Sequence, residues 1–98
     1  MKNYHVLVRN IKGTSKDKPP KGFDLWIDFW ENEKQASGRF CHAESCKNLG
    51  LVIHGSHVFP ISSYRLNKPH IVPLCAACNQ RDDEFMVRDE LVPIPNEI

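Results

Sequence analysis

Phe40-Cys-His-Ala-Glu-Ser-Cys46 and, after 28 intervening residues, Cys75-Ala-Ala-Cys78 decide how this chain is organised. The spacing is C-x4-C followed by C-x2-C. Two thiolates at short spacing form a knuckle, and two knuckles close a tetrahedron around one soft ion. The C-x2-C half carries the stronger signal, because its sulfurs point naturally at one ion. Cys41, Cys46, Cys75 and Cys78 are therefore expected to hold a structural Zn²⁺. Iron suits a four-thiolate site as well. Disulfides fit poorly with a reducing compartment, and a redox dithiol would use Cys75 and Cys78 while leaving the other pair idle. A structural zinc site contributes about 10–16 kcal/mol of apparent binding energy, against about 5–15 kcal/mol of net stability for a whole domain. Without metal, residues 40–80 are expected to lose their order.

Working outward from the knuckles, 98 residues make one domain with a limited core, where a metal staple helps. Residues 1–39 read as strand, basic loop and aromatic helix, 40–84 as the zinc-knuckle unit, and 85–98 as hairpin and tail. Near the start, the only apolar run is Val6 to Val8, so neither a secretory signal nor a membrane span is expected. The expectation is a cytoplasmic protein with no membrane partner. Thirteen Lys plus Arg against twelve Asp plus Glu leave almost no net charge, which argues against strong non-specific nucleic-acid binding.

Residues 4–11 alternate as a strand, with Tyr4, Val6 and Val8 on one side and His5, Leu7 and Arg9 on the other. The loop at 12–22 carries four lysines against one aspartate. It reads as a solvated surface loop, and alternatively as an arm reaching phosphate through Lys12, Lys16, Lys18 and Lys21, joined by Arg81. Phe23, Trp26, Ile27 and Trp30 recur at helical spacing over 23–34, with Asp24 placed to cap the first turn. Such an aromatic stripe is expected to be core rather than a base-stacking platform. Beyond the linker at 35–39, strands are expected over 49–58 and 70–74 and a short helix or turn over 79–84. Two terminal strands at 85–88 and 91–94 are expected to form a hairpin around Asp89-Glu90.

Between the knuckles stands His54-Gly-Ser-His57-Val-Phe-Pro60, and His70-Ile-Val-Pro-Leu-Cys75-Ala-Ala-Cys78-Asn79 completes them. This segment, about residues 40–83, resembles the HNH nuclease family, whose ββα-metal core often stands on a four-cysteine zinc frame. Ser56-His57-Val58-x-Pro60 matches the family's acidic-residue, His, hydrophobic and Pro element. His70-Ile71-Val72-Pro73-Leu74-Cys75 matches the run into the second knuckle, and Asn79 follows its last Cys. The resemblance implies an α+β, treble-clef or ββα-metal-like unit. It implies His57 as general base, a second divalent cation held in part by Asn79, and DNA or RNA as substrate.

Two positions depart from that pattern. Ser56 replaces the acidic ligand, and a hydroxyl is a poor partner for a hard cation. His70 stands where the orienting Asn is expected, with Asn67 three residues out of register. His54 shares a strand face with Ser56 and is a replacement ligand, so that His54, His57, His70 and Asn79 would make a second metal site. The bland alternative has these histidines bonding the zinc-bound sulfurs, replacing one of them, or filling a polar pocket. The 12–30 stretch followed by the knuckles also resembles small uncharacterised bacterial and phage zinc proteins, which carries no activity with it. The functional expectation is an HNH-like zinc module that binds nucleic acid or a protein partner without cleaving; the alternative is a metal-dependent endonuclease.

Overall fold

The computed structural model describes residues 5–13, 18–44, 46, 52–61 and 68–95. The architecture is α+β. Five antiparallel strands, β1 (His5–Asn10), β2 (Ile53–Pro60), β3 (His70–Cys75), β4 (Glu84–Arg88) and β5 (Val92–Pro93), form one sheet in the order β4-β1-β2-β3-β5. Helix α1 (Trp26–Lys34) packs on β2, β3 and β5, and the single turn α2 (Ala76–Asn79) follows β3 directly.

β1 behaves as its alternation dictates: Val6, Val8 and Asn10 are buried while His5 and Arg9 are exposed. Its Val8 opposes Phe85 on one side and Pro60 on the other, which places β1 between β4 and β2. The expected terminal hairpin is corrected by this pairing. β4 lies along β1 and β5 along β3, at opposite edges of the sheet, so the two strands do not pair with each other. Asp89-Glu90 lacks the Gly or Asn that a two-residue hairpin turn needs.

The same connection bends the sheet. From Arg88 to Val92 the chain can span no more than about 14 Å, while four strand spacings in a flat sheet come to roughly 19 Å. The sheet therefore curls, and residues 42–44 fill the gap. Glu44 N–H donates to Met86 O at 2.8 Å, Arg88 N–H to His42 O at 3.1 Å, and His42 N–H to Pro73 O at 2.9 Å. Pro73 has no N–H to offer, and it stands beyond the two residues of β3 that pair with β5.

α1 begins later than its aromatic pattern suggests. Its N-cap is Leu25, with no side-chain cap, so Asp24 does not cap the helix. It ends at Gln35, whose left-handed conformation (φ 53°) turns the chain out while its N–H still bonds Glu31 O. Of the aromatic stripe, Ile27 and Trp30 are buried core, and Phe23 and Trp26 pack half-buried against it. Trp30 is 1% exposed and donates its Nε1–H to Glu90 O at 2.8 Å, and Phe29 packs with it against Ile71 and Val92. Phe23 lies outside the helix, and its ring meets Phe29 edge-on at 5.7 Å. The helix approaches β2 at Gly55 so closely that a Cβ there would lie 2.5 Å from Ile27 N and 2.6 Å from Trp26 C. A second core fills the curl of the sheet, with Val6, Val8, Val58, Val72, Leu74, Phe85, Val87 and Leu91 joined by Cys41, Cys75 and Cys78.

Candidate metal centre

Three pieces of the chain deliver the four sulfurs. Cys41 lies at the start of the segment that fills the gap in the sheet, and Cys46 follows it through a turn closed by Cys46 N–H to Ala43 O at 3.0 Å. Cys75 ends β3, and Cys78 lies within α2. All four sulfurs lie within 4.8 Å of one another, and Cys46 Sγ is 3.8 Å from Cys75 Sγ. A tetrahedron with metal–sulfur bonds of about 2.3 Å has edges of roughly 3.8 Å. A disulfide would need about 2.05 Å, and the four cysteines are free thiols. The cluster can hold one metal ion. It is the one group of three or more His, Cys, Asp or Glu ligands so gathered among the described residues.

The surroundings suit a cation. Three of the cysteines are buried and Cys46 is half-buried. Burial pushes the Cys41 and Cys78 thiols up, and for Cys78 the neighbouring cysteine thiols push the same way. Four anionic sulfurs this close need a cation among them, and its binding displaces protons. Backbone N–H groups of Cys75 and Ala43 reach the Cys41 sulfur and favour its thiolate.

Asn10 and Arg81 brace the second knuckle from outside. Asn10, buried on β1, donates Nδ2–H to Cys78 O at 2.9 Å and to Arg81 O at 3.1 Å. Its Oδ1 is buried with no hydrogen-bond partner among the described residues. The Arg81 guanidinium is held by Asp83 through Nε at 2.9 Å and Nη2 at 2.6 Å and stacks 4.5 Å from the Phe85 ring centroid. Hydrogen bonding to Asp83 raises the Arg81 pKa above its usual value and lowers that of Asp83. Asn10 carries no local signal in the sequence, since a polar residue ending a strand is ordinary. Arg81, expected to touch phosphate, is paired with Asp83.

His42 also escapes the sequence reading. It is 1% exposed, with the Phe40 ring centroid at 4.6 Å and the Trp30 ring edge-on at 5.3 Å. Burial, aided by the Arg88 charge, lowers its pKa to about 4, and neither ring nitrogen has a hydrogen-bond partner among the described residues. Glu90 Oε1 lies 3.7 Å from Nδ1.

The other expected site residues are spread out. His57 opposes Ile71 and His70 opposes Val58, so the two histidines project from opposite faces of the hairpin. His57 is 7% exposed, under the edge of the Trp26 ring at 4.9 Å. His70 is buried, with Nδ1–H donating to Lys68 O at 2.7 Å. His54 shares the face of Ser56 and His70 but is exposed, and Asn79 is half-buried at the end of α2. The register thus separates His57 from His54 and His70, and the four-residue second metal site does not assemble. Ser56 Oγ is buried with no hydrogen-bond partner among the described residues. The expected helix or turn over 79–84 is corrected to the helical turn α2 at Ala76–Asn79.

Of the expected phosphate contacts, Lys12 pairs with Asp82 at 2.6 Å and Arg81 with Asp83. Lys18 and Lys21 are exposed, and Lys16 lies outside the described residues, as do Asn67 and the start of the strand expected over 49–58. No helix among the described residues is long and apolar enough to cross a membrane. Comparisons with known protein families, with curated proteins and with solved structures find no match for this chain.

Proposed function

We propose that this chain is a zinc-organised, HNH-like binding module: a treble-clef-type ββα unit that keeps the metal frame and engages a nucleic acid or a protein partner without cleaving phosphodiesters. The observation that carries the reading is the four-sulfur cluster, joined from a knuckle, the end of a β-hairpin and the helical turn that follows it. That order of elements supports the treble-clef arrangement. Zn²⁺ is the ion whose tetrahedral preference and affinity for thiolate suit the sulfur spacing. With all four ligands from protein, its part is structural: it ties the knuckle to the hairpin and leaves no open position for chemistry.

Three features favour binding over catalysis. A general base must reach the water it activates, and His57 is covered by Trp26. The position of the acidic ligand is taken by Ser56, buried and uncharged. Lys12 and Arg81, which would stabilise the charge building on a cleaved phosphate, are already matched by Asp82 and Asp83, and the same pairing favours a protein partner over a nucleic acid.

The test combines metal analysis of the purified chain with binding and cleavage assays on plasmid, single-stranded DNA and RNA, with Mg²⁺, Mn²⁺ or Ni²⁺ added. The expected result is one zinc per chain and intact substrates with every ion. Metal-dependent cleavage that vanishes in a zinc-loaded His57→Ala variant would overturn the binding reading in favour of the endonuclease.

A further inference from the structure

Asn10 is an anomaly for a strand residue. Asparagine is a weak strand former, this one is 7% exposed, and its Oδ1 is buried with no partner among the described residues. A buried, half-satisfied amide weakens a sheet unless its other half does something the fold requires. Here the other half reaches across to the second knuckle. Both Nδ2 protons are committed, one to the carbonyl of Cys78 itself and one to the carbonyl of Arg81, three residues on. The amide cannot be turned round, since Oδ1 would then face two carbonyl oxygens. Val58, opposite Asn10 on β2, offers no polar group that would compete for these protons.

The two accepting carbonyls sit where α2 ends. α2 has one turn, with no side-chain cap, and its Gln80 and Arg81 N–H groups reach back only to Ala77 and Cys78. So short a helix does not hold its own shape in water. Yet the knuckle must present Cys78 Sγ at a fixed place beside three other sulfurs. We propose that Asn10 is a positioning residue for the metal centre: it fastens the α2 end to β1, sets where the Cys78 sulfur lies, and tightens metal binding. Arg81, whose carbonyl takes the second of these bonds, is fixed by the same clamp. The inference rests on the metal-binding reading above and adds a residue far from the cysteines in sequence, 68 positions from Cys78.

The experiment uses the full chain loaded with Co²⁺, whose thiolate charge-transfer and d–d bands report the coordination of the ion. Asn10→Val is the main variant: it suits a strand, removes the orphaned Oδ1 and takes the side-chain donor from both carbonyls, leaving Cys78 O only the Arg81 N–H. Asn10→Asp is the second, isosteric but with oxygens facing those carbonyls. Val8→Ala, on the same strand and face, is the control for a general loss of packing. The expected result is a Co²⁺ affinity lowered about 10–100-fold in both Asn10 variants, with altered d–d bands, while Val8→Ala keeps the wild-type spectrum and affinity even if it melts earlier. Asn10 variants with wild-type bands and affinity would overturn the positioning role, as would a Val8→Ala chain showing the same loss. A wild-type chain with no thiolate charge-transfer band would instead refute the metal-binding reading, and the role of Asn10 with it. If Asn10→Asp does not fold, Asn10→Val alone decides.

Discussion

Replacing Gly55 by alanine should dislodge α1 from the sheet. The added Cβ would lie 2.5 Å from Ile27 N and 2.6 Å from Trp26 C, both backbone atoms of the first helical turn. Comfortable carbon contacts begin at about 3.5 Å, so helix and strand must part by roughly 1 Å. A gap of that size forfeits a quarter to a half of the dispersion energy of the contacts it opens, and those include Ile27, Phe29 and Trp30, all buried. Overpacking typically costs about 1–3 kcal/mol. Backbone on both sides leaves no side chain to swing away, so the upper end, about 3 kcal/mol, applies at this contact. For a domain of this length each kcal/mol moves Tm by about 4–8 °C, giving a fall of roughly 12–24 °C. The assay is thermal unfolding of the metal-loaded protein, followed by tryptophan fluorescence. Gly13→Ala serves as the comparison: nothing lies within 4 Å of its Cβ position, and its φ of 77° charges only the left-handed penalty, about 1–2 kcal/mol. A Gly55→Ala protein melting within about 3 °C of wild type, less than 1 kcal/mol, would refute the seating of α1 on β2.

His42 predicts an acid limb of stability. Its folded pKa of about 4 lies below the unfolded 6.5, so below pH 6.5 the unfolded chain takes up a proton that the folded chain refuses. Stability therefore falls as the pH drops from about 6.5 towards 4, with His42 contributing up to about 3 kcal/mol of the loss; urea titrations of wild type against His42→Leu at matched metal loading should show the steeper slope in the histidine protein, and equal slopes would contradict the burial of His42 as a neutral ring. Trp30→Phe deletes the bond to Glu90 O and leaves a smaller ring in the core, for a loss of about 2–3 kcal/mol by denaturant titration; an unchanged midpoint would contradict the packing of Trp30 beneath the β4–β5 connection. Chelation of the metal should raise amide exchange first in the knuckles and then across residues 40–80; uniform exchange at the metal-bound rate would show that the ion holds nothing in place.

The knuckles, the strands and the aromatic core were legible because their signals are local: thiol spacing, period-two alternation and helical recurrence of large apolar residues. What escaped depends on contacts far apart in the chain. β4 and β5 look like a hairpin because only three residues separate them, yet Phe85 finds Val8 and Val92 finds Ile71. No property of the 85–94 segment announces those distant partners. Asp24 looks like a cap because it precedes an apolar stripe, but the start of α1 is set by the contact of Trp26 and Ile27 with Gly55. The neighbours of His57 in sequence suggest a general base, while its burial is decided by Trp26 at the start of α1. Asn10 and His42 are ordinary residues until β1 and the gap-filling segment bring them against α2 and Trp30.

The central claim is that Cys41, Cys46, Cys75 and Cys78 together hold one ion. X-ray absorption at the zinc edge, on the chain purified without added metal, tests it most directly. The expected result is stoichiometric zinc with four sulfur neighbours at about 2.3 Å and no imidazole scattering. A shell of three or fewer sulfurs completed by a histidine nitrogen, or a chain that retains no zinc, would contradict it.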